Sequence, residues 1–375
     1  MLKISKSIKK LSYDDLDDNI FHYKYNVKHL LSLIKKGIDK EDPRYLSSYR
    51  SFEGEVFENY IYEKLLRYAD ENDEITGFVL KGFHQNKNRP NANSLSISEK
   101  QQIVYRTKNK EIGEFDAMFT TKSGELYFVE MTLVRSVLKL RKRLRKKKAL
   151  LDTLFPDYEV KSLIILNDGA TGIKQFPSYC TVWQTEEFSA LEVLNYILDS
   201  SEKKIEPRRK YKSKKSIEAS SLKPSSFRYY NTISWLTKKL RSTKKDTISY
   251  DFLLSQTVQR YHDLYNKFYI GYARFDAIEP MLKSGLELEG DQRVVVAVEK
   301  KHSDEIVVTF YIHISRKKLN LYSFENGSWS LEKKDPYGVT ITEVYHINKM
   351  MDSSYELSLD DVNLVISKLA SLRAS

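Results

Sequence analysis

A chain of 375 residues that is 41% apolar and 12% aromatic exceeds what one hydrophobic core usually organises and has enough apolar side chains for two. The formal net charge of +11 and a pI near 9.2 point to a phosphate-rich partner, without separating nucleic acid from an anionic membrane surface. A single cysteine, Cys180, excludes an intramolecular disulfide framework, and no Cys/His cluster has the spacing of a structural zinc site.

The first fifteen residues hold no apolar core of signal-peptide length, and apolar runs such as Val294–Val298 are too short to span a bilayer, so a cytoplasmic location without membrane contact is the expectation. Residues 26–36 place Val27, Leu30, Leu31 and Ile34 on a helical stripe closed by Gly37. After Asp42-Pro43 a second helix is expected, capped by Ser51 and carrying Phe52, Val56, Phe57, Tyr60, Ile61, Leu65 and Leu66 up to Tyr68. This places Glu58 near mid-helix. Extended segments follow at Ile75–Phe83 and Gln102–Arg106, with an Asn-rich loop from His84 to Ser98 between them. Glu114–Thr120 and Leu126–Thr132, separated by Lys122-Ser123-Gly124, have the form of a β-hairpin bearing Asp116 and Glu130.

Residues 134–155 are expected as one helix with Val137, Leu140, Leu144, Leu151 and Leu154 on its apolar side. Its stretch 135–148 (RSVLKLRKRLRKKK) holds nine Lys/Arg and no acid. Ser162–Leu166 and Cys180–Gln184 are the next strands, and Ala190–Ile197 the next helix. Helix, three strands, helix and two strands describe an α/β domain over residues 1–200.

Residues 203–245 hold fifteen Lys/Arg against Glu206 and Glu218, so with 135–148 they carry +22 and leave about −11 for the rest of the chain. Residues 201–245 are expected as a basic linker or arm, since Glu202–Ser226 is too polar to bury much surface. From 246 to 375 a smaller α+β domain is expected. It comprises a helix over 247–270, with Tyr261, Tyr265, Phe268, Tyr269 and Tyr272 at helical spacing, then strands at Arg293–Val298, Glu305–His313, Leu319–Phe324 and Ser328–Glu332. Asn326-Gly327 marks a hairpin turn and Leu357–Leu372 a last helix.

Hydrolysing a phosphodiester near neutral pH calls for divalent metal, and hard Mg²⁺ or Mn²⁺ prefers converging carboxylates. Asp116 and Glu130 on paired strands, with Glu58 from the preceding helix, can supply them. Gly169–Lys174 lacks P-loop spacing, and no Gly-x-Ser-x-Gly is present.

Gly113-Glu114-Phe115-Asp116, Tyr127-Phe128-Val129-Glu130 and Gly54-Glu55-Val56-Phe57-Glu58 together resemble the PD-(D/E)xK nuclease superfamily over roughly residues 50–185. The resemblance implies a restriction-endonuclease-like mixed sheet flanked by helices. It also implies metal bound by Asp116, Glu130 and the carbonyl of Met131, with Glu58 holding a water. Glu55 and Glu63 compete with Glu58, and Glu114 shares the strand face of Asp116. The family carries Lys two residues after the second acid, where this chain has Thr132. Similarity to cap-snatching viral endonucleases moves the lysine to the following helix, which offers Lys139, Lys142 and Lys146; Lys142 or Lys146 is the expectation.

The function these features imply is a Mg²⁺- or Mn²⁺-dependent endonuclease, with DNA expected before RNA, in bacterial defence, mobile-element or repair work. The alternative is a degenerate nuclease fold that binds nucleic acid within a larger assembly. Arg135, Lys139, Arg141, Arg143, Arg208, Arg209 and Lys210 are the expected backbone contacts. The C-terminal domain would serve recognition, regulation, dimerisation or a protein partner.

Overall fold

The computed structural model describes residues 20–21, 23–80, 94–98, 102–106, 111–200, 215–225, 264, 267–283, 285, 287–300, 306–313, 321–325, 328–333 and 356–373. The chain divides into two units, Met1–Arg228 and Tyr229–Ser375. Both are mixtures of helix and strand, and the first contains a five-stranded mixed sheet with helices on its faces.

In the first unit α1 (Lys28–Lys35) ends at Gly37, whose φ of +67° suits a residue without Cβ and whose N–H donates to the Ile34 carbonyl. The long α2 (Pro43–Glu71) begins eight residues before Ser51, which lies inside it. Asp42 is the cap: its carboxylate accepts the Arg44 N–H at 2.8 Å, and Pro43 fills a first-turn position that needs no N–H donor. The Arg44 side chain beside Asp42 holds that carboxyl down at about 2.

The sheet is built from β1 (Ile75–Leu80), β5 (Ala117–Thr121), β6 (Glu125–Thr132), β7 (Glu159–Leu166) and β8 (Cys180–Gln184), in that order. β1, β5 and β6 are antiparallel, while β6, β7 and β8 run parallel. A separate three-stranded sheet joins β2 (Ser94–Ile97), β3 (Ile103–Arg106) and β4 (Glu111–Phe115). Two expectations change here. Part of the Asn-rich loop is the strand β2, and the segment 114–120 is divided at Asp116, with β4 leaving for the small sheet.

On one face of the large sheet, Phe119, Tyr127, Val129, Leu163 and Ile165 share a core with Phe57, Ile61 and Leu65 of α2 and with Val193 and Leu194 of α4 (Leu191–Asp199). The other face receives α3 (Leu140–Leu154), which packs on β7. Burial on both faces accounts for the apolar runs Leu126–Val129 of β6 and Leu163–Leu166 of β7. The helix expected from residue 134 starts at Leu140. Residues before it form a loop tied down by Val137 N–H to Thr171 O and Thr171 N–H to Arg135 O.

Residues 215–225 are not a passive part of a linker. Phe78 N–H donates to Lys215 O and Ile217 N–H to Phe78 O, which covers the open edge of β1. A Cβ on Gly77 would lie 2.9 Å from Ile217 Cδ1, so a side chain there would have to push the end of Ile217 aside. Ser225 then bonds the carbonyls of Thr153 and Leu154 at the end of α3. The Lys215 ammonium donates to Ala69 O and Asn72 O, both at 2.7 Å, where α2 ends and carbonyls lack helical partners. Arg208, Arg209, Lys210 and the rest of 201–214 lie outside the described residues.

The second unit is an antiparallel meander of β9 (Lys267–Arg274), β10 (Arg293–Lys300), β11 (Ile306–His313), β12 (Leu321–Glu325) and β13 (Ser328–Lys333). α5 (Phe275–Leu282) and α6 (Leu359–Arg373) accompany it, and Ile278, Leu282 and Val362 join its core. The four expected strands are present, but 267–270 is strand, not helix. Tyr269 and Tyr272 are buried, and the Arg293 guanidinium lies 4.2 Å from the centre of the Tyr272 ring. Tyr261 and Tyr265 lie outside the described residues.

Replacing Lys215 by Ala removes two charge-assisted bonds at the end of α2, and it should lower the stability of the first unit by about 1.5–3 kcal/mol. A urea titration of the full chain checks this; an unshifted midpoint would mean that Lys215 does not hold α2.

Candidate active site

The register of β5 on β6 pairs Ala117 with Val129 and Met118 with Phe128. One step further brings Asp116 beside Glu130. The half-buried Asp116 marks the break between the two sheets, and its Oδ2 accepts the Met131 N–H at 3.1 Å. The break therefore has a physical role: it ends the β5 ladder, so that a carboxylate takes up a β6 amide.

Period-two alternation decides where Glu130 points. Tyr127, Val129 and Met131 face α2, so Glu130 faces α3, and it is only 1% exposed. A carboxylate this deep needs a counter-charge. Lys147 supplies it with an ion pair to Oε1, and the Arg143 guanidinium stands 2.9 Å from Oε2 without hydrogen-bond alignment. Burial pushes the Glu130 carboxyl above the usual carboxylate range. Lys147 pulls against that rise, Asp116 adds to it, and Arg143 opposes it.

Lys147 is itself buried. It occupies the apolar seam of α3, one turn from Leu144 and Leu151 and in line with Leu140 and Leu154, all buried. Sequence reasoning missed it by assigning every Lys/Arg of α3 to the polar side. The signal was the gap in the seam between Leu144 and Leu151, where a lone cation interrupts the apolar spacing. Lys142 and Lys139 are exposed and do not line the cleft over the acids, and Lys146 is exposed at the cleft wall. The ammonium on Glu130 thus comes from the expected helix but from a different residue than Lys142 or Lys146.

A cleft of about 620 Å³ opens over these groups, lined by Glu58, Glu114, Asp116, Glu130, Met131 and Lys147 among others. Glu58 reaches it from the middle of α2, whereas its two rivals are engaged elsewhere. Glu63 is buried against the Tyr23 hydroxyl at 2.5 Å, and Glu55 accepts the Asn26 N–H at 3.0 Å. Tyr62, one turn beyond Glu58, is fully buried. Burial raises its phenol well above the ordinary range, and the nearby charges of Glu58 and Asp116 raise it further. Gly113 lets α3 close on the cleft, since a Cβ there would meet Leu150 Cδ2 at 2.7 Å.

Of the expected backbone contacts, Arg143 is bound to Glu130, Arg141 bonds Gln175 at 3.2 Å, and Arg135 and Lys139 are exposed. Oxygen donors of the kind hard cations prefer line one cleft. Yet among the described residues no three Asp, Glu, His or Cys side chains converge closely enough to grip an ion. As it stands Glu130 is committed to Lys147.

Lys147→Met should leave the Glu130 charge buried with Arg143 alone, costing about 3 kcal/mol, the low end for breaking a buried pair. Glu130→Leu combined with Lys147→Met should recover most of that loss in a denaturant double-mutant cycle. A cost below about 1 kcal/mol for Lys147→Met alone would mean that the pair is not a buried one.

Comparison of the chain with protein-family models, with curated proteins and with solved structures finds no match, so what the site does rests on its own geometry.

Proposed function

We propose that the first unit is a divalent-metal-dependent nuclease, a restriction-endonuclease-like form of the mixed α/β sheet, acting on nucleic acid and first of all on DNA. The observation that carries this reading is the meeting of Asp116, Glu130, the Met131 main chain, Glu58 and a buried lysine at one cleft. Mg²⁺ or Mn²⁺ held by Asp116, Glu130 and the Met131 carbonyl would supply charge neutralisation at phosphate and an activated water. The cleft lining carries four carboxylates, Glu58, Glu114, Asp116 and Glu130, against three cations, Arg143, Lys146 and Lys147. One divalent ion would turn that balance from −1 to +1, the sign that attracts phosphate.

The chain's own groups then divide the work. Glu58 accepts hydrogen bonds from water at the cleft wall. Lys147 holds the Glu130 carboxylate in place and, once Glu130 takes another partner, offers an ammonium at the reacting phosphate. Arg143 and Lys146, more exposed, suit contacts with the flanking backbone.

A second reading, a nucleic-acid-binding module without cleavage, is favoured by one observation: no three acids converge, and Lys147 already satisfies Glu130. The two readings separate on labelled DNA and RNA incubated with Mn²⁺, Mg²⁺ or EDTA. Wild type should cleave with metal only, Asp116→Ala and Glu130→Ala should not cleave, and Lys147→Ala should turn over at least about tenfold more slowly with affinity nearly unchanged. Lys142→Ala should cleave at the wild-type rate. Binding without any metal-dependent cleavage would select the second reading, and equal cleavage by wild type and both acid variants would remove this site from the reaction.

A further inference from the structure

A second cleft of about 870 Å³ adjoins the first and shares Glu58, Met131 and Thr132 with it. Its floor is Phe57 and Phe188, packed edge to face with ring centres 5.1 Å apart. Asn167 Oδ1 fixes that floor by accepting the Phe188 N–H at 2.9 Å. The wall is the turn after β6, where Thr132 Oγ1 accepts the Val134 N–H at 3.2 Å, and Val134 is 59% exposed, an apolar side chain standing open to the cleft. Arg50 and Arg135, both exposed, stand on opposite sides, on α2 and on that turn. Glu53 and Glu187 add carboxylate acceptors.

An apolar floor beside the exposed Val134, with carboxylates and guanidiniums around it, offers partners for the parts of a nucleotide: a flat ring with amino donors, joined to anionic phosphate. A volume within the roughly 300–1,000 Å³ of small-ligand sites takes one such unit. A stacked base pair cannot enter a concave site unless a base leaves the stack, which costs least in a single strand.

We propose that this cleft takes one unstacked nucleotide of a single strand, its base packed on the exposed Val134 above the buried floor of Phe57 and Phe188 and its phosphates at Arg50 and Arg135, next to the phosphate held at the acidic cleft. The inference rests on the nuclease reading for its substrate class and adds strand preference to it. The preferred substrate is single-stranded, or has an unpaired nucleotide beside the scissile bond.

Gly54 offers a way to close the cleft without damaging the fold. It lines the cleft from within α2, and a Cβ there meets nothing within 4 Å. Gly54→Leu should therefore raise helix stability while filling the space. Binding of a labelled single-stranded oligonucleotide with cleavage-resistant phosphorothioate linkages, and of its duplex, is measured by anisotropy with Mn²⁺ present, so that the acidic cleft keeps its ion and cleavage plays no part. Gly54→Leu should weaken single-strand binding at least about fivefold, the low end for one stacked base, with a raised melting temperature and a smaller effect on duplex. Arg50→Ala and Arg135→Ala should each weaken it and flatten the log–log salt dependence by roughly one unit, while Lys122→Ala, in the β5–β6 turn at the other end of β6, should change neither. Single-strand affinity of Gly54→Leu within twofold of wild type, or duplex bound as tightly as single strand by wild type, would overturn the proposal. Loss of Mn²⁺-dependent cleavage in Asp116→Ala tests the nuclease reading separately, so either can fail while the other stands.

Discussion

The carboxylate of Glu130 sits near the C-terminal end of strand β6 with almost no access to water, and a charge so placed dictates its surroundings. It requires a cation from the element covering that face, and α3 provides one by placing Lys147 in its apolar seam. That pairing sets the rotation of α3, because a helix turned by one residue would bring Lys146 or Lys148 to Glu130 and take Leu144 and Leu151 off the sheet. With the rotation fixed, Leu150 comes down on Gly113 and Lys146 and Arg143 stand at the cleft wall. Two well-packed apolar side chains could fill the same space at equal or better stability, so stability alone does not explain a buried ion pair. The proposed chemistry would use both charges.

Much of the large sheet was legible in the sequence: the central β7 is buried on both faces and contains the expected apolar run Ser162–Leu166, and the half-buried edge strand β8 has the expected ends. The position of Asp116 opposite Glu130 followed from the hairpin. What could not be read was the interruption at Asp116, since Glu111–Thr121 is extended throughout and only pairing partners distinguish β4 from β5. Lys147 was hidden by a rule of thumb that puts cations outside; a Lys stem can bury its methylenes while its ammonium finds a carboxylate. Lysine-rich composition concealed residues 215–225 in the same way, although Ile217 and the Lys215 ammonium bind them to β1 and α2. In the second unit, Phe268, Tyr269 and Tyr272 fit a helical spacing, but β-prone side chains and the ladder to β10 decide for strand.

Both clefts open where the parallel strands β6 and β7 end. Met131 and Thr132 close β6, and Asn167 follows β7. In open α/β sheets the carboxyl ends of parallel strands are where chain segments diverge and leave a crevice, so a pair of adjoining sites here follows from topology. The antiparallel strands contribute differently: they deliver Asp116 from the side, through the Met131 amide, and so pin the acid to the same strand end.

Thr132 marks the point at which the two clefts meet, and it stands where the nuclease superfamily that the sequence resembles carries lysine. Its hydroxyl takes the Val134 N–H and so shapes the turn that carries Val134 and Arg135 along the wall of the second cleft. A lysine at 132 has no acceptor for that amide, and its long stem would occupy the junction that joins the clefts. Supplying the ammonium from α3 leaves the strand end small and the turn tight. Under the proposed nuclease reading, the displaced ammonium and the second cleft both trace to Thr132 at the end of β6.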